Sequence, residues 1–494
     1  MRKIFLLSLT LIALNCVAQF SRTHYIPPIA NQNQTLKAED HYLYISTPSI
    51  KDVNLKIIAI GGQIIYATVN NSSPYIYKIG VGINTQLFTP KTIIGKLINK
   101  GFIIEADDLV YCSVRVNAGL NQNTGEYNHA GGLVSKGNSA LGTTFRLGAM
   151  LNPLYDASLL NFASILATEN NTQVTISNIP IGTILTDGTI INGPITINLN
   201  KNETYVIALE NFPNSISSNS AKMIGALVES DKGIVVNSGS FGGSNSTEVS
   251  NNGPTGRDVG FDQIVPLEKT GKEYIFTKGN GTNEIERIIL VAHNPQTEVY
   301  LNGNTTPSYT LQPGEYTAID GAQFINNNLY VKTTENVFAY QCIGGTNRPA
   351  NQNLFFVPPL NCSTPNTVDN IPQIEFIGST TYTGGMNIIT ERDAVVTINN
   401  NPINTTPFDI TGNTNYVRYS LNNLKGNISV KSTKQVYVSY FGTNNAATYG
   451  GYYSGFDAKP EIALDKLNIG VSSCIPNLVL EVSSILNYDN FLWY

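Results

Sequence analysis

The chain repeats itself, and a repeat limits the available folds more than any other feature of a sequence. Four segments, YISTPSIKDVNLKI, ILATENNTQVTISN, ILVAHNPQTEVYLN and IITERDAVVTINN, each read as an apolar strand, a polar turn and a second strand opening on valine. Val53, Val174, Val299 and Val396 take equivalent places in them. A second set, IIEADDLVYCSV, LVESDKGIVVNS, VKTTENVFAYQC and VKSTKQVYVSYF, reads as a hairpin around Val110, Ile234, Val337 and Val436. These four lie 124, 103 and 99 residues apart, so the unit is about a hundred residues long. Between the two sets, ITINLNKNETYVIAL, YTLQPGEYTAI and FDITGNTNYVRYSL each add a turn and an alternating strand.

Alternation of period two with turns rich in Asn, Asp, Gly and Lys makes each unit an antiparallel assembly of about six or seven strands. The expected fold is all-β, with four tandem units of sandwich size. A propeller is the alternative, with two blades of ~40–50 residues in each unit. The units are expected at residues 19–150, 151–270, 271–370 and 371–470.

The two ends read differently. Met1 to Ala18 has a basic start at Arg2 and Lys3, an apolar run from Ile4 to Leu14 and a small-residue exit, the pattern of a secretory signal peptide. Cys16 as a lipidation site is disfavoured by Asn15 before it. No later segment offers the ~20 apolar residues of a membrane-spanning helix. Residues 471–494 read as the start of an immunoglobulin-like module, with Cys474 as its first cysteine and Trp493 as its core tryptophan. The chain is expected to be a fragment of a longer protein.

Charged residues make up 13%, well below the ~25% of average soluble domains, and 30 Lys+Arg against 35 Asp+Glu leave a formal charge of -5. That balance gives no footprint for nucleic acid or an anionic membrane. His24, His41, His129 and His293 show no metal-ligand spacing, and no nucleophile elbow, phosphate loop or calcium loop is present. No catalytic residue, cofactor or metal is assigned. Asp107, Asp108, Asp231 and Glu335 fall where turns want acidic side chains, which outweighs a paired-carboxylate reading.

After each second hairpin comes a Gly-rich segment: AGLNQNTGEYNHAGG, GSFGGSNSTEVSNNGPTG, GGTNRPANQN and GTNNAATYGGYYSG. These read as long connectors, a common place for recognition. Tyr449, Tyr452 and Tyr453 are the candidate ligand-binding residues, with packing on a neighbouring sheet as the other reading. Cys342 and Cys362 flank one such connector and are the candidate disulfide, whereas Cys112 also suits a buried thiol.

The stretch SDKGIVVNSGSFGG followed by GRDVGFDQIVPLEKTGKEYIF resembles the IgGFc-binding protein N-terminal domain family, and FSRTHYIPPI and HYLYISTPS are similar to the start of its bacterial, Bacteroidetes-type members. The resemblance spans roughly residues 40 to 465. It implies an exported binding or adhesive role, at the cell surface or secreted, with a C-terminal sorting domain for type IX secretion in related chains. It carries over no Fc-contacting residue. The expected function is recognition of an extracellular glycoprotein or glycan, with immunoglobulin Fc suggested by the family name alone. An all-β carbohydrate-active enzyme or a passive stalk is the alternative.

The signal-peptide reading sets one expectation. Mass spectrometry of exported material should find an N-terminus near Gln19, and an intact Met1 or a lipidated Cys16 would refute it.

Overall fold

In a computed structural model, described over residues 19–31, 36–210, 221–250, 253–346, 351–456, 461–464 and 480–483, the chain is all-β, as its alternation implied. Residues 1–18, where a signal peptide is expected, and Cys474 and Trp493 lie outside the described residues.

The second set of segments corrects the hairpin reading. Phe102–Leu120, Leu227–Gly243 and Asn328–Gly344 are each one unbroken long strand that serves two sheets. The first half of Phe102–Leu120 pairs with Ser21–Ile26 and Val53–Ala59, while its second half pairs with Ala38–Ser46 and Tyr127–Val134. Ile64–Val69 and Tyr75–Gly80 complete the two sheets at their outer edges. Leucine, isoleucine and valine side chains from both sheets fill the space between them.

The same pairing scheme recurs around the other two long strands. In the last group the long strand is broken into Ile428–Ser432 and Val436–Asn444, with the neighbours otherwise alike. The strands that open the second and fourth groups, Gly142–Arg146 and Thr367–Ile371, come slightly before residues 151 and 371.

The polar residues read as turns occupy the crossover between sheets. On the side facing the opening strand, pairing jumps from Glu105 to Val110, from Glu229 to Ile234 and from Lys332 to Val337. Those jumps are bulges, which bend a strand and raise its local twist so that its two halves can face different partners. The acidic residues there satisfy local groups: Asp108 accepts from the Leu109 N–H at 2.8 Å, and Asp231 accepts from the Gln173 N–H at 2.8 Å.

The Gly-rich segments are also corrected. Each leads into or overlaps a strand that pairs with the end of the long strand: Tyr127–Val134, Asp258–Ile264, Asn351–Phe356 and Ala447–Tyr452. These four strands lie side by side in a closed ring, each next to the following one and the fourth against the first. Glycine is needed because the backbones approach so closely. A Cβ on Gly131 would lie 2.4 Å from the Val259 carbonyl oxygen, and one on Gly451 would lie 2.7 Å from Val134 Cγ2. Sandwich-like groups thus meet around a central axis as propeller blades do.

Gly131→Ala should lower the unfolding free energy by about 1–3 kcal/mol through overpacking. Gly193→Ala, at a position open to solvent, should stay within about 0.5 kcal/mol of the parent. Denaturant titration of both variants checks this, and equal midpoints would refute the packing role of Gly131.

Candidate functional site

Each central strand is the edge of its own sheet, and an edge carries backbone N–H and C=O groups with no ladder partner. Three inward-pointing side chains satisfy them. Asp258 Oδ1 accepts from its own neighbour Val259 N–H at 2.8 Å and from Ala130 N–H of the first group at 3.2 Å. Asp262 Oδ1 repeats this with Gln263 and Val134, and Asn353 Oδ1 with Leu354 and Phe261. The Asn353 amide also donates to the Gly132 and Gly450 carbonyls at 2.7 and 2.9 Å, so this one side chain touches all four groups.

The hub holds charge away from water. Lys136 Nζ, fully buried, lies 2.9 Å from both oxygens of Asp262, and the Phe356 N–H donates to the same carboxylate. Burial draws the Lys136 ammonium down and the Asp262 carboxyl up, each opposed by the other's charge. Removing one partner of such a pair costs about 3–5 kcal/mol, so the pair fixes the register of the first two groups. Asp258 is faced instead by His129, whose Nδ1 lies 3.8 Å away and whose imidazole burial holds neutral. Burial raises the Asp258 carboxyl, and hydrogen bonds from the Thr448 hydroxyl and the Val259 and Ala130 amides offset that in part.

Ring closure rests on Arg115. It is fully buried, and its guanidinium donates to the Pro372, Gln373 and Phe376 carbonyls at 2.7–2.8 Å while lying 4.0 Å from the Tyr44 ring centroid. Tyr440 and Tyr449 add two more faces at 5.1 and 5.4 Å. A guanidinium is weakly hydrated and matches such a cage of carbonyls and rings.

Tyr449, Tyr452 and Tyr453 therefore do not form a ligand-stacking surface. All three are buried, Tyr449 donating to the Ile374 carbonyl at 2.6 Å and Tyr453 lying 2.9 Å from the Ser113 hydroxyl. Their rings pack edge-on against Tyr382 and Tyr440 of the same group and against Phe355 of the third. The expected disulfide is likewise absent. Cys342 and Cys362 are free thiols, the first sealed in the core between the second and third groups and the second exposed in a surface turn. Burial pushes the Cys342 thiol up to about 12, which leaves it inert. Cys112 is a buried thiol.

No group of three metal-ligating side chains is found among the described residues. His24 and His41 are core residues bonded through both ring nitrogens, and burial pulls each down to about 4.

What the hub presents is its entrance. Contacts run in step from Ala130–Asp258 to Val134–Asp262 and on to Phe356, so the central strands run in the same direction. The turns that lead into them consequently sit at one end of the axis. The first is Asn121 to Glu126, closed by Asn121 N–H to the Glu126 carbonyl at 2.8 Å. The second carries Val249, 69% exposed, and is pinned to the third group where Glu284 accepts from the Thr247 N–H at 2.5 Å. The third long strand ends at Gly344 on the same side, and the turn of the fourth group is Asn445 and Ala446. Sequence reasoning found these segments but missed their common face, since nothing local shows that four distant strands run parallel.

Glu286 braces the end of the third long strand. It is buried and accepts from Gly279 at 2.9 Å and from Gly281 and Gly344 at 2.8 Å, all backbone N–H groups.

A family model described as IgGFc binding protein matches residues 131–442, from the first central strand to the fourth long strand. The chain belongs to the IgGFc-binding family. Membership points to an extracellular binding protein with a protein partner. No helix among the described residues is long and apolar enough to cross a membrane. No curated protein matches the chain. Among solved structures, an anti-sigma factor domain-containing protein is 10% identical, with 69% of this chain and 82% of that one covered and a TM-score of 0.11. Another, from Clostridium clariflavum, is 10% identical over 85% and 99% of the two chains, also at 0.11. The pilus adhesin SpaC from Lactobacillus rhamnosus GG is 7% identical over 84% and 57%, at 0.09. Scores this low carry no argument.

The brace sets a pH dependence. Burial lifts Glu286 from 4.5 to about 7, so the folded chain keeps a proton that the unfolded chain releases. Its contribution to stability is full below about 4.5 and is lost as pH rises through about 7. Wild type minus Glu286→Gln in unfolding free energy should therefore fall by up to about 3 kcal/mol between those limits. A difference flat with pH would refute the brace.

Proposed function

We propose that this chain is an exported binding protein, secreted or held at the outer cell surface, that recognises an extracellular glycoprotein or glycan. The carrying observation is the gathering of the first, second and fourth turns at one end of a rigid hub. A scaffold fixed by buried charge and close backbone contact holds loops in place at little entropic cost to binding. Family membership supports the extracellular role, and the leader-like first eighteen residues support export. The recurring strand scheme supports reading the chain as four tandem units, and the family resemblance supports an adhesive role with export by type IX secretion. Fc remains a ligand by family name only. No partner chemistry in this reading requires a cofactor.

Blocking the face tests the reading. In a Cys362→Ser background, Thr124→Cys and Ala446→Cys place thiols on the first and fourth turns. Lys201→Cys places one beside Ala167, remote from that end. After coupling to a bulky maleimide polymer, the two turn variants should lose at least about tenfold in affinity for immobilised mucin or Fc, a loss of about 1.4 kcal/mol. The Lys201 variant should match the parent. Equal binding by all three, or no binding by the parent, would refute the proposal.

A further inference from the structure

A groove of about 450 Å³ opens at the fourth turn, lined by Thr346, Thr381, Tyr382, Thr383, Thr443, Asn444 and Asn445. Its size falls within the ~300–1,000 Å³ of small-molecule sites, but its lining does not resemble theirs, which is mostly apolar. Every side chain around it, Tyr382 included, carries a hydroxyl or a carboxamide, and none carries a charge.

Thr381, Thr383, Thr443 and Asn444 of this lining lie in strands. Thr383 pairs with Thr443 across the sheet. Tyr382 turns inward, donating to Asn117 Oδ1 at 2.7 Å with its ring edge-on to Tyr449 at 4.9 Å. Alternation then sends Thr381 and Thr383 outward, and both are exposed. Asn444 donates to the Thr381 carbonyl at 3.2 Å and ties the two strands that carry them. Asn445 holds a left-handed turn conformation, φ 52°, which asparagine tolerates well. Sites supported this way keep their geometry before the ligand arrives.

Threonine and asparagine side chains both donate and accept hydrogen bonds. A surface made only of such groups suits a neutral ligand dense in both functions. Peptides that are recognised by their side chains use apolar pockets or charged anchors, and this groove offers neither. We infer that the groove binds neutral sugar residues, through their hydroxyl and acetamido groups. The inference rests on the proposed binding role of the turn face and gives it a ligand class.

Saturation-transfer NMR on the full chain tests it, with N,N′-diacetylchitobiose and N-acetyllactosamine as neutral probes and a Gly-Ser decapeptide as the competing class. Thr383→Val with Thr443→Val removes two hydroxyls while keeping the β-branched shape. Wild type should bind a neutral saccharide, and the double variant should bind it roughly tenfold more weakly or worse, as the loss of two hydrogen bonds implies, with an unchanged melting temperature. Equal saccharide binding by both proteins would overturn the groove and leave the turn-face reading standing. Binding of the decapeptide without either saccharide, or of intact mucin without either saccharide, would overturn the sugar assignment. Binding of no probe and of no mucin would overturn the underlying reading as well.

Discussion

Four sheet edges meet at one axis, and the rest of the molecule depends on how their unpaired backbone groups are satisfied there. Bare edges of this kind attract other chains. Here Asp258, Asp262 and Asn353 each bond one amide of their own strand and one of the adjacent group. The effect is side-chain substitution for a ladder that the parallel, inclined strands do not make. Since an orphaned buried amide costs about 1–3 kcal/mol, these short polar side chains do more for the ring than their size suggests.

The hub also explains the unusual distribution of charge. With so few charged residues in the chain, a completely buried lysine, two aspartates and an arginine at the interfaces form a concentrated set. Lys136 with Asp262 ties the first group to the second, and Arg115 ties the first to the fourth. An apolar interface would tolerate sliding between flat β surfaces. Buried polar pairs penalise each wrong register, because any shift leaves a group unsatisfied.

Much of the local structure was legible in the sequence. Strand alternation and the equivalence of Val110, Ile234, Val337 and Val436 depend on near neighbours, and each of these residues sits at the same crossover. Misreadings arose where the cause lies far along the chain. Asp107 and Asp108 look like a turn because turns and bulges draw on the same residue types. Gly131 looks like a loop residue because the strand that forbids a side chain there, at Val259, is more than a hundred residues away. Tyr449, Tyr452 and Tyr453 looked available for a ligand for a related reason, since partners such as Ile374, Phe355 and Ser113 lie from 75 to 340 residues away. Cys342 and Cys362 are close in sequence, yet a strand buried on both faces separates their environments. The groove at Thr381, Thr383 and Thr443 left a faint local sign, an inward tyrosine between two outward threonines, but Thr443 lies sixty residues further on.

Ring closure by the first and last groups bears on how the molecule is assembled. Gln19 donates to the Tyr452 carbonyl at 2.6 Å, and Phe20 stacks on Tyr111, which touches Tyr453. The earliest residues of the described chain are thus seated by some of the latest. Loop entropy grows slowly with length, but long-range contacts slow folding strongly. Until the fourth group arrives, the cage around Arg115 is half built and its tyrosines face water. The native ring is a cyclic closure, complete only when the first segment has met the fourth group.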